Sequence, residues 1–290
     1  MKGIVLAGGT GSRLWPATTV VSKQLLPIYD KPMIYYPIST LMLAGIREIL
    51  IISNPSELYK FKTLLGDGSD FGVTFSYEVQ PNPDGLAQSL IIGERFINGD
   101  STILILGDNI FHGAGLGREL QKSLPTRGAQ IFTYEVAHPE EYGIVTFDSG
   151  GRPLSVEEKP KQSTSNSAIT GLYFFDERGP ELAKLVTPSH RGELEITSVI
   201  ERYLEMGELT VSKLSRGAAW LDTGNPNAMH DASTYVRVIE ERTGLKIGCP
   251  EEAAFINGWL TTDKLSLISQ KYRGNPYGKY LKEVALRQTT

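Results

Sequence analysis

A glycine-rich segment near the N-terminus carries residue types that bind phosphate. Residues 8–13 read Gly-Gly-Thr-Gly-Ser-Arg, and Lys23 follows. Glycine lets the backbone adopt positive φ and approach a ligand closely, so consecutive N–H groups can converge on phosphate oxygens. Arg13 and Lys23 would add positive charge around the same anion. The segment therefore predicts a phosphate-binding loop.

Two standard phosphate-loop motifs do not fit this segment. A dinucleotide fingerprint built on Gly9 and Gly11 would need glycine or alanine where Leu14 stands, and the chain has no Gly-x-x-x-x-Gly-Lys-Ser/Thr motif. The missing third glycine disfavours an NAD-dependent oxidoreductase. A glycine-rich turn can also serve tight packing alone, but Arg13 and Lys23 favour the functional interpretation.

Two aspartates, each at the end of an apolar run, are candidate metal ligands. Asp108 follows residues 101–106, and Asp222 follows residues 218–221. A carboxylate at the end of a buried strand is costly unless it is hydrogen-bonded or metal-bound. A helix cap or a turn is the alternative for each.

A carboxamide and an adjacent pair of charges complete the candidate residues. Gln80 begins a turn with two prolines and an Asp-Gly pair, and its amide can donate and accept at once, which suits the imide edge of thymine or uracil. Glu158 and Lys159 are neighbours and would point to opposite faces of an ideal strand. An ordinary polar turn and a solvated ion pair are the alternatives.

The first part of the chain predicts strands that alternate with helices. Short aliphatic runs predict strands at residues 2–7, 47–53, 73–79 and 101–106, and helical spacing predicts helices at 32–44 and 84–96. This alternation indicates an α/β fold with a Rossmann-like, mixed and mainly parallel sheet flanked by helices. Ligands bind beyond the carboxyl ends of such strands. Residues 8–9, 80–81 and 107–108 stand at those ends.

The pattern changes after residue 128 to strands separated by turns. Strands are predicted at residues 131–136, 143–147, 154–158 and 168–175, and helices at 194–206 and 225–242. We expect an α/β core at 1–128, inserted strands and a return to the core sheet at 129–224, and a helical segment at 225–290. With no Pro/Ser-rich linker, these parts should form one continuous domain.

Composition excludes several classes of protein. The chain has 290 residues, 40% hydrophobic, and a net charge of −4, and no apolar run approaches the ~18 to 20 residues of a membrane span. The acidic balance disfavours a nucleic-acid binder. The lone Cys249 and four scattered histidines offer no disulfide or zinc pattern. The N-terminus lacks a signal-peptide core, so we expect a cytoplasmic protein.

The motifs taken together resemble the sugar-1-phosphate nucleotidyltransferases. The resemblance rests on Gly-Gly-x-Gly-x-Arg-Leu-x-Pro from residue 8, Ser-Lys-Gln-Leu-Leu-Pro at 22–27, Gln-Pro-Asn-Pro-Asp-Gly at 80–85 and Gly-Asp-Asn at 107–109. It continues through Glu-Glu-Lys-Pro at 157–160, Arg-Gly-Glu-Leu-Glu at 191–195 and Trp-Leu-Asp-Thr-Gly at 220–224. Their order covers nearly the whole chain, which makes the resemblance highly specific.

The resemblance implies a role for each matching residue. The implied catalytic residues are Arg13, Lys23, Asp108 and Lys159. The implied nucleotide-binding residues are Leu6, Gly8, Gly9, Thr10, Gly11, Arg13, Lys23, Gln24, Gln80, Pro83, Gly85 and Asp108. The implied sugar-binding residues are Asn109, Gly143, Glu158, Lys159, Ile169 and Glu193. Asp108 and Asp222 are implied to hold Mg²⁺ together.

The implied reaction joins dTTP and glucose 1-phosphate to give dTDP-glucose and pyrophosphate. The resemblance also implies a homotetramer with a second, regulatory nucleotide-sugar site, and a product used for dTDP-rhamnose and polysaccharide synthesis. The aromatic residues between Trp259 and Tyr280 could cover an apolar subunit surface, or they could pack internally. A uridylyltransferase of the same fold and a non-catalytic sugar-nucleotide-binding subunit are the alternatives. The charged residues of the motifs speak against the latter.

Overall fold

The computed structural model describes residues 1–122 and 127–287, and a nine-stranded sheet lies at its centre. The strands are β1 (Lys2–Ala7), β2 (Pro27–Ile28), β3 (Lys31–Pro32), β4 (Glu48–Ser53), β5 (Thr74–Val79), β6 (Thr102–Leu106), β7 (Asn109–His112), β8 (Ala129–Glu135), β9 (Gly143–Phe147), β10 (Pro153–Glu158), β11 (Ser167–Phe175), β12 (Leu209–Lys213) and β13 (Ala219–Asp222). The helices are α1 (Tyr35–Leu43), α2 (Leu58–Leu65), α3 (Gln88–Ile97), α4 (Leu116–Lys122), α5 (Gly179–Lys184), α6 (Ile196–Glu205), α7 (Pro226–Thr243), α8 (Pro250–Ile256), α9 (Thr262–Lys271) and α10 (Pro276–Arg287).

The N-terminal strands form the parallel part of the sheet. β1 lies between β4 and β6, and β5 pairs with the outer edge of β4, all in parallel. Side chains alternate along each strand, so Val5 packs with α1 on one face while Ile4 packs with α3 on the other. Burial of both faces explains why these strands are continuous aliphatic runs rather than alternating ones.

The later strands extend the same sheet in antiparallel and mixed pairing. β11 pairs antiparallel with β6, β8 and β9. β10 pairs antiparallel with β9, and β12 runs parallel to β8. The predicted mixed α/β sheet flanked by helices is therefore confirmed. The strands of residues 129–175 share one sheet with the N-terminal parallel strands, because β11 lies directly against β6.

Two predicted helices begin later than expected for one reason. The helix expected from residue 84 starts at Gln88, and the helix expected from 194 starts at Ile196. The segments before them are pinned to each other, because the Leu194 N–H donates to the Asp84 carbonyl and the Ala87 N–H donates to the Leu194 carbonyl. Gly85 has φ of 114°, and Glu195 is extended at φ −72° and ψ 137°, so neither segment is helical. The sequence analysis did not predict α2, α4, α5, β12 or the short strands β2, β3, β7 and β13.

The C-terminal aromatic residues pack inside the chain. Tyr277 and Tyr280 are 6% and 7% exposed, and they belong to the core cluster that also includes α1 and α8 residues. Their burial favours the alternative of internal packing, because Tyr277 donates to Glu251 and Tyr280 donates to Glu252, both in α8. Across residues 1–122 and 127–287, we find no helix that is both long and apolar enough to cross a lipid bilayer.

Candidate functional site

Two adjoining cavities lie at the carboxyl ends of β1 and β6. The larger has a volume of about 470 Å³ and the smaller about 210 Å³, and both are lined by Gly9, Lys23 and Asp108. Every residue that the resemblance singled out lines one or both of them. The larger is lined by Thr10, Gly11, Arg13, Asn109, Gly143, Glu158, Lys159, Ile169 and Asp222, the smaller by Leu6, Gly8, Gln24, Gln80 and Gly85, and both by Gly9, Lys23, Pro83, Asp108 and Glu193.

The glycine-rich loop presents its N–H groups without protein partners. Gly9 and Gly11 have φ of 89° and 60°, the left-handed region that favours glycine. Their carbonyls accept hydrogen bonds from Asn54 Nδ2 (2.9 Å) and Thr18 Oγ1 (2.7 Å). Among the described residues, the N–H groups of Gly9, Thr10 and Gly11 donate to no other group. The loop is thus a set of unused donors that suits an anion.

Asp108 lies just beyond β6, where Lys23 and Asn109 hold it. The Lys23 ammonium forms an ion pair with Oδ2, and Asn109 Nδ2 donates to Oδ1 at 3.1 Å. Burial would raise the pKa of this carboxyl, but the Lys23 charge and these hydrogen bonds outweigh burial and lower the pKa. Asp108 is therefore ionised at neutral pH.

The pairing of β13 with β7 brings Asp222 beside Asp108. Asp222 lies opposite Asn109 in this antiparallel ladder, and Thr223 Oγ1 donates to the Asp108 carbonyl at 2.7 Å. Burial and the negative charge of Asp108 raise the pKa of Asp222 to about 6, although Lys23 and Arg13 oppose the shift. Two residues far apart in sequence thus form a pair of mutually repelling carboxylates.

The donor set of this pair fits a magnesium ion. Carboxylate oxygens are hard ligands, and Mg²⁺ usually takes one or two of them with substrate phosphates and water. In the part of the chain that the structure describes, no group of three His, Cys, Asp or Glu residues forms a fuller metal site. A divalent cation would relieve the repulsion between Asp108 and Asp222.

The smaller cavity is shaped by Gln80 and two glycines. Gln80 is 3% exposed, and a Cβ on Gly8 would lie 2.0 Å from its Oε1 atom. Gly85 has φ of 114°, and a Cβ there would lie 2.4 Å from the Leu194 carbonyl oxygen. Only glycine fits at Gly85, and the cavity floor depends on both close approaches.

A left-handed residue places two adjacent charges on one cavity. Lys159 has φ of 44°, and its N–H donates to the Tyr142 carbonyl at 3.0 Å. An ideal strand would point the two side chains to opposite faces, but the backbone leaves the strand conformation at Lys159 and both side chains line the larger cavity. Burial, then the charge of Glu195, raises the pKa of Glu158, against the opposing charges of Lys159 and Arg191.

The sequence analysis assigned no role to several residues that shape this site. Tyr142, Tyr173 and Trp220 line the larger cavity, and Trp220 Nε1 donates to Asn109 Oδ1. Arg191 lies between three carboxylates, with a nitrogen 3.4 Å from an oxygen of Glu158. Arg191 and Trp220 lie within the motifs at residues 191–195 and 220–224, so those motifs could have identified them as site residues.

Comparison with known proteins agrees with this geometry. Residues 2–238 match a family model described as nucleotidyl transferase. The chain is 54% identical to the glucose-1-phosphate thymidylyltransferase of Neisseria meningitidis serogroup A over 282 residues, which is 97% of this chain and 98% of that protein.

Two solved structures share the fold of this chain. A crystal structure from Bacillus anthracis in complex with sucrose, provisionally named a glucose-1-phosphate thymidylyltransferase, matches with a TM-score of 0.76 and 38% identity, over 82% of this chain and 95% of that one. A UDP-glucose pyrophosphorylase in complex with UDP-glucose shares the fold, with a TM-score of 0.73, 22% identity and coverage of 82% and 98%. The chain belongs to the nucleotidyl transferase family, and the curated relatives that it resembles at full length are glucose-1-phosphate thymidylyltransferases.

Proposed function

We propose that this protein is an enzyme that makes dTDP-glucose and pyrophosphate from dTTP and glucose 1-phosphate. One observation carries the proposal: the unpartnered N–H groups of the loop, the Gln80 cavity and the Glu158–Lys159 pair converge on two joined cavities. A triphosphate at the loop would place its base in the smaller cavity and its α-phosphate between Lys23 and Asp108. The name of the Neisseria relative supports the same substrates.

The reaction needs no nucleophile from the protein. A phosphate oxygen of glucose 1-phosphate attacks the α-phosphorus of dTTP in line, a new P–O bond forms, and the bond from the α-phosphorus to the bridging oxygen breaks to release pyrophosphate. The attacking phosphate is already ionised at neutral pH. Catalysis is therefore positioning and charge stabilisation.

Three cations of the chain would overcome the repulsion between the two anionic substrates. Arg13 would stabilise the triphosphate and the departing pyrophosphate. Lys23 would bind the α-phosphoryl group and Lys159 the sugar phosphate. Arg13, Lys23 and Lys159 all line the larger cavity. Their convergence explains how a chain of net charge −4 can accept two anions.

Asp108 and Asp222 would hold Mg²⁺. The ion would neutralise charge on the α-phosphate oxygens when bound. Asp108, kept ionised by Lys23, supplies a full negative charge to this site. Asp222 would add oxygen ligands from the neighbouring two-stranded antiparallel sheet of β7 and β13.

The strands of residues 129–224 would supply the sugar side of the site. Glu158 would accept a hydrogen bond from a sugar hydroxyl, and Gly143 and Ile169 would line the sugar ring. A Cβ on Gly143 would lie 2.9 Å from the Thr197 side chain, so the wall there is already close-packed. Asn109 and Glu193 would contact the sugar from the core side.

We also propose a homotetramer with a regulatory nucleotide-sugar site, in the cytoplasm, with a product that supplies dTDP-rhamnose and polysaccharide synthesis. The resemblance to the family supports each of these properties, and the use of a nucleoside triphosphate supports the location in the cytoplasm. Light scattering at micromolar concentration tests the assembly, and a monomer there would contradict it.

The direct test incubates each nucleoside triphosphate with glucose 1-phosphate, Mg²⁺ and pyrophosphatase, and measures phosphate release. We expect release with dTTP, and weaker or comparable release with UTP, because one methyl group contributes only about 1 to 3 kcal/mol of discrimination. Lys159→Ala should chiefly weaken the use of glucose 1-phosphate. No release with either pyrimidine nucleotide would contradict the proposal, and binding without release would favour a regulatory subunit.

A further inference from the structure

A chain of hydrogen bonds behind the smaller cavity leads from Gln80 to a carboxylate. Gln80 Nε2 donates to Gln88 Oε1 at 2.7 Å, and Gln88 Nε2 donates to Asp84 Oδ2 at 2.9 Å. We infer that Asp84 and Gln88 are positioning residues that hold the Gln80 amide with its oxygen toward the base. This inference rests on the proposed function, since it names how the same site selects its nucleotide.

The carboxylate gives this chain a direction. An ionised carboxylate can only accept, so Gln88 must turn its NH₂ group to Asp84 and its oxygen to Gln80. Gln80 must then turn its NH₂ group to Gln88. The Gly85 carbonyl supports the same orientation, because it accepts from Gln80 Nε2 at 3.4 Å. The orientation of both amides follows from the acceptor at the end of the chain.

The groups left for a ligand are one acceptor and one donor. No hydrogen bond from another described residue reaches Gln80 Oε1, which lies against the Cα of Gly8 at the cavity wall. The Gly85 N–H donates to no described residue. The imide edge of thymine or uracil offers an N–H donor beside a carbonyl acceptor, which matches this pair. Cytosine presents an acceptor at the same ring nitrogen, so it would face the Gln80 oxygen with like polarity.

Turning over the amides of Gln80 and Gln88 to accommodate cytosine would place the Gln88 oxygen against the Asp84 carboxylate. That arrangement leaves two partly buried acceptors facing each other, which is unfavourable. Asp84 and Gln88 need not touch the nucleotide to exert this effect. They set the energy difference between the two orientations of Gln80, and that difference appears as selectivity between thymine and cytosine.

The first test replaces the carboxylate with an amide that can donate or accept. In Asp84→Asn the two orientations of the amides come close in energy, because the long 3.4 Å hydrogen bond to the Gly85 carbonyl is the one preference that Asp84 does not set. We expect dTTP binding to weaken about twofold, because about half of the molecules hold Gln80 in the competent orientation. We expect dCTP binding to strengthen, so that the dTTP:dCTP affinity ratio falls about fivefold in total. Calorimetric titration of each triphosphate measures the ratio without turnover.

A second variant separates the direction of the chain from ordinary packing. Asp84→Asn combined with Gln88→Glu moves the carboxylate, which can only accept, from position 84 to position 88. Gln80 Nε2 then faces a carboxylate directly. We expect this double variant to regain the wild-type ratio. Gln88→Met should lower the ratio, because its side chain cannot accept from Gln80. Asn82→Ser, in the exposed turn beside Asp84, is the matched control and should change nothing.

The outcomes distinguish this inference from the proposed function. An unchanged ratio in Asp84→Asn, or a double variant as relaxed as Asp84→Asn, would overturn the positioning role. Wild-type protein that binds dCTP as tightly as dTTP would overturn it too. Wild-type protein that prefers dTTP in binding but releases no pyrophosphate with glucose 1-phosphate would contradict the proposed function and leave the positioning role supported.

Discussion

Two clusters of charged side chains in this chain differ in how completely their charges are matched. Beside α7, the nearly buried Lys31 pairs with Glu240 at 2.9 Å and with Asp30 at 2.6 Å. Lys246 pairs with the same two carboxylates. Two positive charges thus meet two negative charges. We call these four residues the balanced cluster.

The group at the cleft is different. Lys23 neutralises Asp108, but Asp222 lies beside the same pair, and burial and Asp108 raise its pKa to about 6. This group, which we call the open cluster, faces the larger cavity, whereas Lys31 in the balanced cluster is only 2% exposed at its side chain. Removing one partner from a matched, buried group of charges destabilises the fold. Charges left unmatched at a cavity are candidates for binding a ligand.

The largest effect should follow from neutralising the open cluster at Asp108. Asp108→Asn removes the charge that we assign to Mg²⁺ and should lower kcat by about 10³-fold, or roughly 4 kcal/mol in the barrier. The fold should persist, as circular dichroism can check. Pyrophosphate release at saturating substrates measures the effect. Wild-type turnover in this variant would contradict the metal assignment.

Breaking the balanced cluster should cost stability instead of activity. In Glu240→Gln, an NH₂ group replaces one of the oxygens that accept from Lys31, Lys246 and the Ile247 N–H, so a buried cation loses one of its two carboxylate partners. The free energy of unfolding should fall by about 3 kcal/mol, with kcat unchanged for the folded fraction.

A neighbouring residue provides the control for this variant. Glu241 stands on the same helix, is exposed, and pairs with Arg237 at 2.9 Å. Glu241→Gln should change the free energy of unfolding by less than about 0.5 kcal/mol in urea titrations. An equal loss in both variants would show that the balanced cluster has no special role.

Removing the unmatched charge of the open cluster should have the opposite sign. Asp222→Asn relieves the repulsion from Asp108, so in EDTA it should raise the free energy of unfolding by about 1 kcal/mol. The same variant should lose most of its turnover in Mg²⁺. Chemical denaturation without metal measures the first effect, and a destabilised variant would show that Asp222 is matched by its surroundings.

The last effect depends on pH and concerns an unmatched carboxylate that lines neither of the two cavities at the site. Glu251 is fully buried and accepts hydrogen bonds from Tyr272 and, at 2.6 Å, from Tyr277. Burial raises its pKa above the ordinary value of 4.5, despite the opposing effect of these hydrogen bonds. The folded chain therefore holds this proton to higher pH than the unfolded chain does. Its contribution to stability is complete below the unfolded pKa and is lost as pH rises through the folded pKa.

Glu251→Gln should remove that dependence. The difference in unfolding free energy between the variant and the wild type should grow in the variant's favour as pH rises above about 4.5, by at most about 1.4 kcal/mol per pH unit. Urea titrations from pH 4 to pH 8 measure it. A difference that stays constant with pH would show that Glu251 has the same pKa in both states.

The sequence predicted the parallel strands accurately and the loops around them poorly. Buried runs such as residues 101–106 are short, aliphatic and bounded by polar or glycine residues, so β6 was predicted within one residue. The start of α3 was missed, because it depends on hydrogen bonds between residues 84–87 and the distant Leu194. The roles of Arg191 and Trp220 were missed for the same reason, since their partners lie far away along the chain.

The residue types and their order carry the chemistry of this protein: glycines where N–H groups must converge, cations for phosphate, carboxylates for a hard metal ion. These are local properties, and they led to the family. Tertiary structure alone decided that Asp222 lies beside Asp108, that the left-handed backbone at Lys159 turns two adjacent charges into one cavity, and that Asp84 orients Gln80 through Gln88. Distances between side chains depend on strand pairing and backbone dihedrals, and no single residue or spacing encodes either.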